Sequence, residues 1–389
     1  MSKLTKTETF FNNLNLTRDD DLFVGLDVHK KSYHVAMFLN DAPAIDFNMA
    51  AKPQKLIEKL KPVVPAIKNV VYEAGPTGYS LVRSLRKNKI PAEVIATSKT
   101  PRPAAEDSKT DRFDSKKLSE FAAKNLLRSI AVPTPRQEAD RQLYRMRHRQ
   151  ARNFAKVKKQ VKAFLLMHGI EEPKGLAHFS NSAVDVLREI HLIDTLRLSL
   201  DELLCDYDYY NSRIRKLDKS IAKNIDKGQL AIRMAILKTH PGVGPVVACQ
   251  FATELFHYKD FNSNRQLYRY LGLSPMIRQS GQSCRTGSVN KAANSRLRSN
   301  LIQAAWRWVA VDIEARKCYY RICNNCGGIK QKAITAMARK LAGHLWAMLM
   351  KNEPYDPQKA KSKRNKELAF GHTNKIYHPP AEARFRLGK

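Results

Sequence analysis

Two short apolar runs, Leu22-Phe23-Val24-Gly25-Leu26-Asp27-Val28 and Ser32-Tyr33-His34-Val35-Ala36-Met37-Phe38-Leu39, set the strongest limit on the fold. Both are rich in β-branched and aromatic residues. Joined by His29-Lys30-Lys31, they predict a pair of strands with a tight turn. Turn residues Asn40-Asp41-Ala42-Pro43 and a third strand near Ile45-Asp46-Phe47 follow. Residues 53–61 read as helix. Asn69 to Glu73 reads as a strand that ends in an acid and a glycine-bearing turn. A helix from Tyr79 to Lys87 and a strand from Ala92 to Ala96 complete the pattern. Strand pairs followed by alternating helix and strand predict a mixed α/β sheet. Asp27 interrupts an apolar run, where an acid is costly unless something pairs with it. Asp27 and Glu73 both fall at strand C-terminal ends, where open α/β sheets place their sites.

A third acidic segment, Lys109-Thr110-Asp111-Arg112-Phe113-Asp114-Ser115-Lys116-Lys117-Leu118, reads as the start of a helix. Asp107, Ser108 or Thr110 can cap it, and Leu118, Phe121 and Ala122 continue an apolar stripe. Residues three apart share a helical face, so Asp111 and Asp114 point the same way. Two carboxylates so close repel unless a cation sits between them or one is protonated. A solvated first turn, with acids favoured by the helix dipole, accounts for the same residues. Four carboxylates on two strands and one helical turn are also the oxygen ligands a hard divalent cation takes, and such a metal can grip phosphate oxygens.

The charge balance narrows the partner. The 389 residues carry 69 Lys and Arg against 36 Asp and Glu, a net charge of +33, with a pI near 10.0. That excludes an ordinary metabolic enzyme and fits a polyanion, nucleic acid first. A membrane surface is the other polyanion, but there is no apolar run near about 18 residues, no signal peptide and no lipidation motif. The expectation is a cytoplasmic protein with reduced thiols and no membrane partner. Cys323-Asn324-Asn325-Cys326 has metal-ligand spacing, but no second pair follows to complete a zinc site.

From Gln137 to Gly169 the chain reads as a basic helix, with Arg145, Arg149, Arg152, Lys156 and Lys159 as candidate phosphate contacts. Residues 183–224 read as a long amphipathic helix or helical pair, either a coiled-coil arm or an intramolecular hairpin. Leu237-Lys238-Thr239-His240-Pro241-Gly242-Val243-Gly244-Pro245 matches a helix-hairpin-helix pattern, in which Gly242 and Gly244 let the backbone approach a phosphate. A plain helix–helix turn fits the same letters. Residues 276–294 are a Gly/Ser-rich polar stretch, read by composition as a flexible loop before a basic helix. Trp306, Trp308, Leu341, Leu345 and Trp346 are expected to pack the last domain. The tail from Lys359 onward is basic and polar. The organisation expected is a flexible arm (1–20), an α/β domain (21–135), a basic helical and coiled-coil region (136–230), a C-terminal helical domain (231–355) and a basic tail (356–389).

Three segments in order, Gly25-Leu26-Asp27-Val28-His29-Lys30, Tyr72-Glu73-Ala74-Gly75-Pro76-Thr77-Gly78 and Lys109-Thr110-Asp111-Arg112-Phe113-Asp114, resemble the DEDD insertion-sequence transposases related to the bacterial pilin-gene invertase. The resemblance covers most of residues 20–350. It implies an RNase H-like N-terminal domain, similar to the RuvC Holliday-junction resolvase, with Asp27, Glu73, Asp111 and Asp114 as an acidic tetrad holding Mg2+ or Mn2+. It implies a C-terminal transposase domain in which a Ser-Gly pair supplies a nucleophilic serine. Ser280, before Gly281, is the matching residue, and Ser283 is a weaker candidate. Arg278 and Arg285 are then placed to neutralise phosphate, with Lys291, Arg296 and Arg298 as further nucleic-acid contacts. The activity implied is a recombinase that cuts and rejoins DNA through a serine–phosphate intermediate. The resemblance also implies an element-encoded bridge RNA that pairs with donor and target DNA, and dimers that assemble into a tetramer near the bacterial nucleoid. The departures are the N-terminal extension, the basic tail and Gln279 before the serine. The rival reading is a metal-dependent nuclease or junction resolvase using the acids alone. A non-catalytic nucleic-acid-binding protein would leave the ordered acids unexplained.

Overall fold

The computed structural model describes residues 16–97, 100, 111–225, 228–280, 283–290 and 293–358; the side chains of 111–113, 277–280 and 283–286 fall outside that description. The chain divides into two compact units, Met1–Thr134 and Pro135–Lys389.

The first unit is built on a five-stranded mixed sheet. β1 (Leu22–Val28) and β2 (Ser32–Leu39) pair antiparallel, and β2 pairs antiparallel with β3 (Ala42–Ala50). Asn40 and Asp41 join the last two with φ of 44° and 65°. A two-residue turn with both φ positive matches the twist of its strands, and Asn and Asp tolerate that conformation. α1 (Pro53–Leu60) leads through a short 3₁₀ segment into β4 (Ile67–Glu73), parallel to β1. α2 (Ser80–Lys87) leads into β5 (Ala92–Ile95), parallel to β4. The strand order is β3-β2-β1-β4-β5. This confirms the mixed α/β sheet and is consistent with the RNase H-like expectation. One face packs Leu22, Val24, Leu26, Val70, Tyr72 and Val94 against Leu56, Leu60, Leu81 and Leu85 of α1 and α2. The other packs Phe23, Val71 and Ile95 against Leu118 and Ala122 of α3 (Asp111–Ala123).

Gly25 sets how closely α3 approaches. A Cβ at Gly25 would run into the Ser115 carbonyl and lie 2.5 Å from the Ser119 nitrogen. Both are helix backbone, which cannot swing aside as a side-chain end can. Gly25→Ala is therefore expected to lower unfolding free energy by roughly 2–4 kcal/mol. Urea unfolding of both proteins measures it.

In the second unit α4 (Pro135–Met167) and α6 (Asp194–Ile225) lie antiparallel. Arg136 Nη2 donates to the Asn224 carbonyl at 3.0 Å, Arg147 pairs with Asp218 at 2.9 Å, and the rings of Phe154 and Tyr207 meet at 4.9 Å. The apolar stripe offered by 183–224 thus packs on α4 of the same chain. That stretch is two helices rather than one. α5 (Asn181–Glu189) precedes α6, and Arg197 of α6 donates to the carbonyls of Leu187 and Ile190. Those carbonyls, at the end of α5, have no partner within the helix itself.

The chain continues through α7 (Gln229–Lys238), α8 (Pro245–Glu254), α9 (Asn264–Leu271), β6 (Pro275–Ser280), β7 (Ser283–Val289), α10 (Ser295–Val311), α11 (Ile313–Asn325) and α12 (Lys330–Lys351). Leu237, Phe251, Leu267, Leu297, Leu301, Leu341 and Leu345 form its core. Trp308 is buried in it, and the Trp346 indole donates to the Tyr258 carbonyl at 2.8 Å. The Gly/Ser-rich stretch corrects the loop expectation: it holds an antiparallel hairpin, β6–β7. Ile277, Thr286 and Val289 supply β-branched residues on both strands.

Candidate active-site elements

Asp27 and Glu73 lie at the C-terminal ends of neighbouring parallel strands. The β1–β4 register pairs Gly25 with Val71 and Leu26 with Tyr72, so Asp27 falls beside Glu73. Side chains alternate along a strand. Asp27 therefore shares the face of Gly25, and Glu73 that of Val71, which is the face α3 covers. α3 meets β1 at Gly25 through Ser115 and Ser119, and Asp114 directly precedes Ser115 in the first turn of that helix. The sequence-predicted Asp27 and Glu73 are brought side by side at one end of this face, and Asp114 belongs to the helix that covers it. Asp111 opens the same helical turn, its side chain outside the described residues.

Several residues that sequence reasoning passed over hold this edge together. His29 Nε2 lies 3.0 Å from Asp27 Oδ2. Thr100 donates to Glu73 Oε1 at 3.1 Å. Buried His34, opposite Asp27 in the β1–β2 register, places Nδ1 2.7 Å from Ser115 Oγ, and Lys116 pairs with Asp46 of β3 at 2.8 Å. The Tyr72 hydroxyl donates to the Gly78 carbonyl at 3.1 Å and accepts from the Val82 amide at 3.3 Å, pinning the turn after Glu73. Burial pushes that phenol up to about 12, so it stays protonated. Only His34 left a signal in the sequence: a polar residue inside the apolar run 32–39.

Among the described residues no three His, Cys, Asp or Glu side chains form a group that could hold a metal ion. The donor chemistry at the acidic edge nevertheless fits a hard cation, since every candidate ligand there offers carboxylate oxygen. Cys323 and Cys326 form no such group either.

The hairpin carries the candidate serine. Ser280 ends β6 opposite Ser283, and Arg278 stands opposite Arg285. By strand alternation positions 278, 280, 283 and 285 fall on one face of the ladder. Like charges directly opposite one another are unfavourable in a sheet.

The candidate cations divide. Arg149, Arg152, Lys156 and Lys159 are exposed and spaced three, four and three residues apart, which lines them along one face of α4. Arg145 instead grips Glu254 with two bonds, Nε–Oε1 at 2.8 Å and Nη2–Oε2 at 2.7 Å. Glu254 is 2% exposed, so removing that partner would leave a buried carboxylate short of hydrogen bonds. Arg296 is exposed, whereas Arg298 donates to the main chain. Lys291 lies outside the described residues.

Residues 24–169 match the DEDD transposase family of IS110 type, and residues 234–321 match the transposase family IS116/IS110/IS902. The chain belongs to this IS110-type family of transposases. It is an enzyme of DNA transposition. The chain is 28% identical to a Sinorhizobium fredii protein carried under the transposase name y4qE, over 84% of this chain and 88% of that one. It is 26% identical to the transposase for insertion sequence element IS1328 of Yersinia enterocolitica, over 72% and 82% of the two chains. The transposase for insertion sequence element IS1111A of Coxiella burnetii is 23% identical, over 74% and 79%. No helix among the described residues of the transposase is long and apolar enough to cross a membrane.

The hairpin glycines of the transposase differ in setting. Gly242 is buried, and a Cβ there would lie 2.6 Å from Trp308 Cβ and 2.8 Å from the Ala304 carbonyl of α10. Its need for glycine comes from internal packing. Gly244 is exposed, with open space around it, at the N-cap of α8. His240 supports the turn: its Nδ1 accepts from the Gly242 amide at 3.3 Å, which leaves Nε2 to donate toward His344 Nδ1 at 3.4 Å. Burial holds His240 down to about 3 from an ordinary value of 6.5. The folded state therefore keeps it neutral where the unfolded chain takes up a proton. Stability from this residue is full above pH 6.5 and falls progressively as pH drops toward 3. Replacing His240 by Phe is expected to flatten the pH dependence of unfolding in that window, by up to about 3–4 kcal/mol, measured by urea titration at stepped pH.

Proposed function

We propose that this transposase cuts and rejoins DNA by transesterification, with Ser280 as nucleophile and Asp27, Glu73, Asp111 and Asp114 as its acidic partners. The observation that carries the acidic half is the contact at Gly25, which seats α3 through Ser115 and Ser119 on the strand whose end bears Asp27 beside Glu73. The hairpin supports the other half. Its register pairs position 278 with position 285 in the same short ladder that pairs Ser280 with Ser283.

In the first step the Ser280 Oγ–phosphorus bond forms and a phosphorus–deoxyribose oxygen bond breaks. The serine proton leaves Oγ, and the departing oxygen gains one. In the second step a deoxyribose hydroxyl attacks the serine phosphodiester and Ser280 is released. The count of phosphodiester bonds is unchanged, so no external energy source is needed. The four carboxylates would hold Mg2+ or Mn2+, which supplies neutralisation of phosphate charge when bound. Arg278 and Arg285 hold the scissile phosphate.

Arg149, Arg152, Lys156, Lys159, Arg296 and the open α8 N-terminus at Gly244 form the backbone-gripping surfaces. Their point charges suit phosphates and carry no base code. Sequence choice then falls to an element-encoded bridge RNA pairing with donor and target DNA, with dimers assembling into a tetramer around both. The metal-nuclease reading differs in one observable: it leaves no protein–DNA bond. Trapping a covalent adduct on suicide substrates, in wild type and Ser280→Ala, tests the proposal.

A further inference from the structure

Both ends of the β6–β7 hairpin meet at one side chain. Arg298 of α10 directs Nη1 to the Asn290 carbonyl, just after β7, at 2.6 Å, and to the Gly272 carbonyl, at the end of α9, at 3.5 Å. Gly272 is left-handed, with φ of 66°, and a Cβ there would lie 2.5 Å from Arg298 Nη1 and 2.7 Å from the Asn290 carbonyl. The chain entering the hairpin, the chain leaving it and the guanidinium are thus in mutual contact. The Asn290 amide donating to the Ser274 carbonyl at 3.4 Å closes the same base.

Arg298 is itself held. Leu297 and Leu301 of α10 are fully buried. The Asn294 side chain caps that helix by accepting from the Leu297 amide at 3.1 Å, and its Nδ2 lies 3.3 Å from Glu254 Oε2. Glu254 is the buried carboxylate that Arg145 grips from α4. A continuous polar frame therefore runs from α4 through Glu254 and Asn294 to α10. Such frames fix geometry when every member is satisfied.

We infer that Arg298 is a positioning residue: it fixes the base of the hairpin that carries Ser280 and does not act as a phosphate contact. The catalytic consequence rests on the reading of Ser280 as nucleophile; the mechanical one does not.

The test uses the full chain with Arg298→Met and Gly272→Ala. The second keeps the cation but crowds its Nη1. Three quantities are read: amide hydrogen exchange of 273–290 against α12, affinity for a mixed-sequence DNA duplex across a salt series, and the rate of strand cleavage on plasmid carrying the element. Both variants are expected to speed hairpin exchange by about tenfold and leave α12 unchanged. Affinity and salt slope should stay at the wild-type value. Cleavage should slow by about 10–100-fold, the scale of a misplaced reacting group. A lower affinity in Arg298→Met, with a salt slope reduced by about one and hairpin exchange unaltered, would overturn the inference in favour of a phosphate contact. If Arg298→Met does not fold, Gly272→Ala decides alone, and unchanged hairpin exchange there overturns it. Full cleavage by Ser280→Ala would remove the nucleophile reading, while the exchange result still decides the clamp.

Discussion

Replacing Ser280 by alanine is expected to reduce strand cleavage by at least about 10³-fold, with DNA affinity unchanged. The change removes one oxygen from the end of β6 and leaves its backbone pairing with Ser283 available. The phosphate contacts proposed for Arg278, Arg285 and the α4 stripe do not depend on that oxygen. Ser283→Ala is the matched control, because it sits opposite on the same ladder and loses the same atom. Its cleavage rate should stay within about tenfold of wild type. A metal-dependent nuclease would give the opposite pattern, since water replaces the serine and both variants cut DNA.

Asp27→Asn and Asp114→Asn are expected to lower cleavage by at least about 10³-fold while the first unit stays folded. Each change keeps the side chain's shape and removes one negative charge from an edge where Asp27 and Glu73 are neighbours. Relieved repulsion and lost hydrogen bonding offset one another, so unfolding free energy should move by no more than about 1 kcal/mol. Chelation of divalent cations should silence the wild-type protein to the same degree, and Mg2+ or Mn2+ should restore it. Asn variants that unfold readily would make these acids structural. Asn variants that cut at the wild-type rate would remove them from the chemistry.

The sheet was legible because its signals are local. Runs 22–28 and 32–39, the Asn40-Asp41 turn and the acids at strand ends all act through backbone geometry within a few residues. Gly25 shows the limit of such reading. It looks like a strand residue that merely lacks a side chain, and only the helix against it explains why none fits. Arg145 and Arg298 show the same limit for charge. In the sequence they are indistinguishable from Arg149 and Arg296, yet one neutralises a buried carboxylate and the other holds main-chain carbonyls. Their partners are 109 and 8 residues away. Composition also misread the serine segment, because Gly and Ser describe flexible loops and two-residue hairpin links equally well.

The central claim is that a covalent bond joins Ser280 to DNA during the reaction. The most direct measurement incubates the protein with the bridge RNA proposed for its element, Mg2+ and nicked suicide DNA, then separates products under denaturing conditions. A protein–DNA adduct is predicted, with the nucleotide located by peptide mass on residue 280 and the adduct missing from Ser280→Ala. Cleaved DNA without an adduct, persisting in Ser280→Ala and lost in Asp114→Asn, would contradict the account and make this enzyme a hydrolytic metal nuclease.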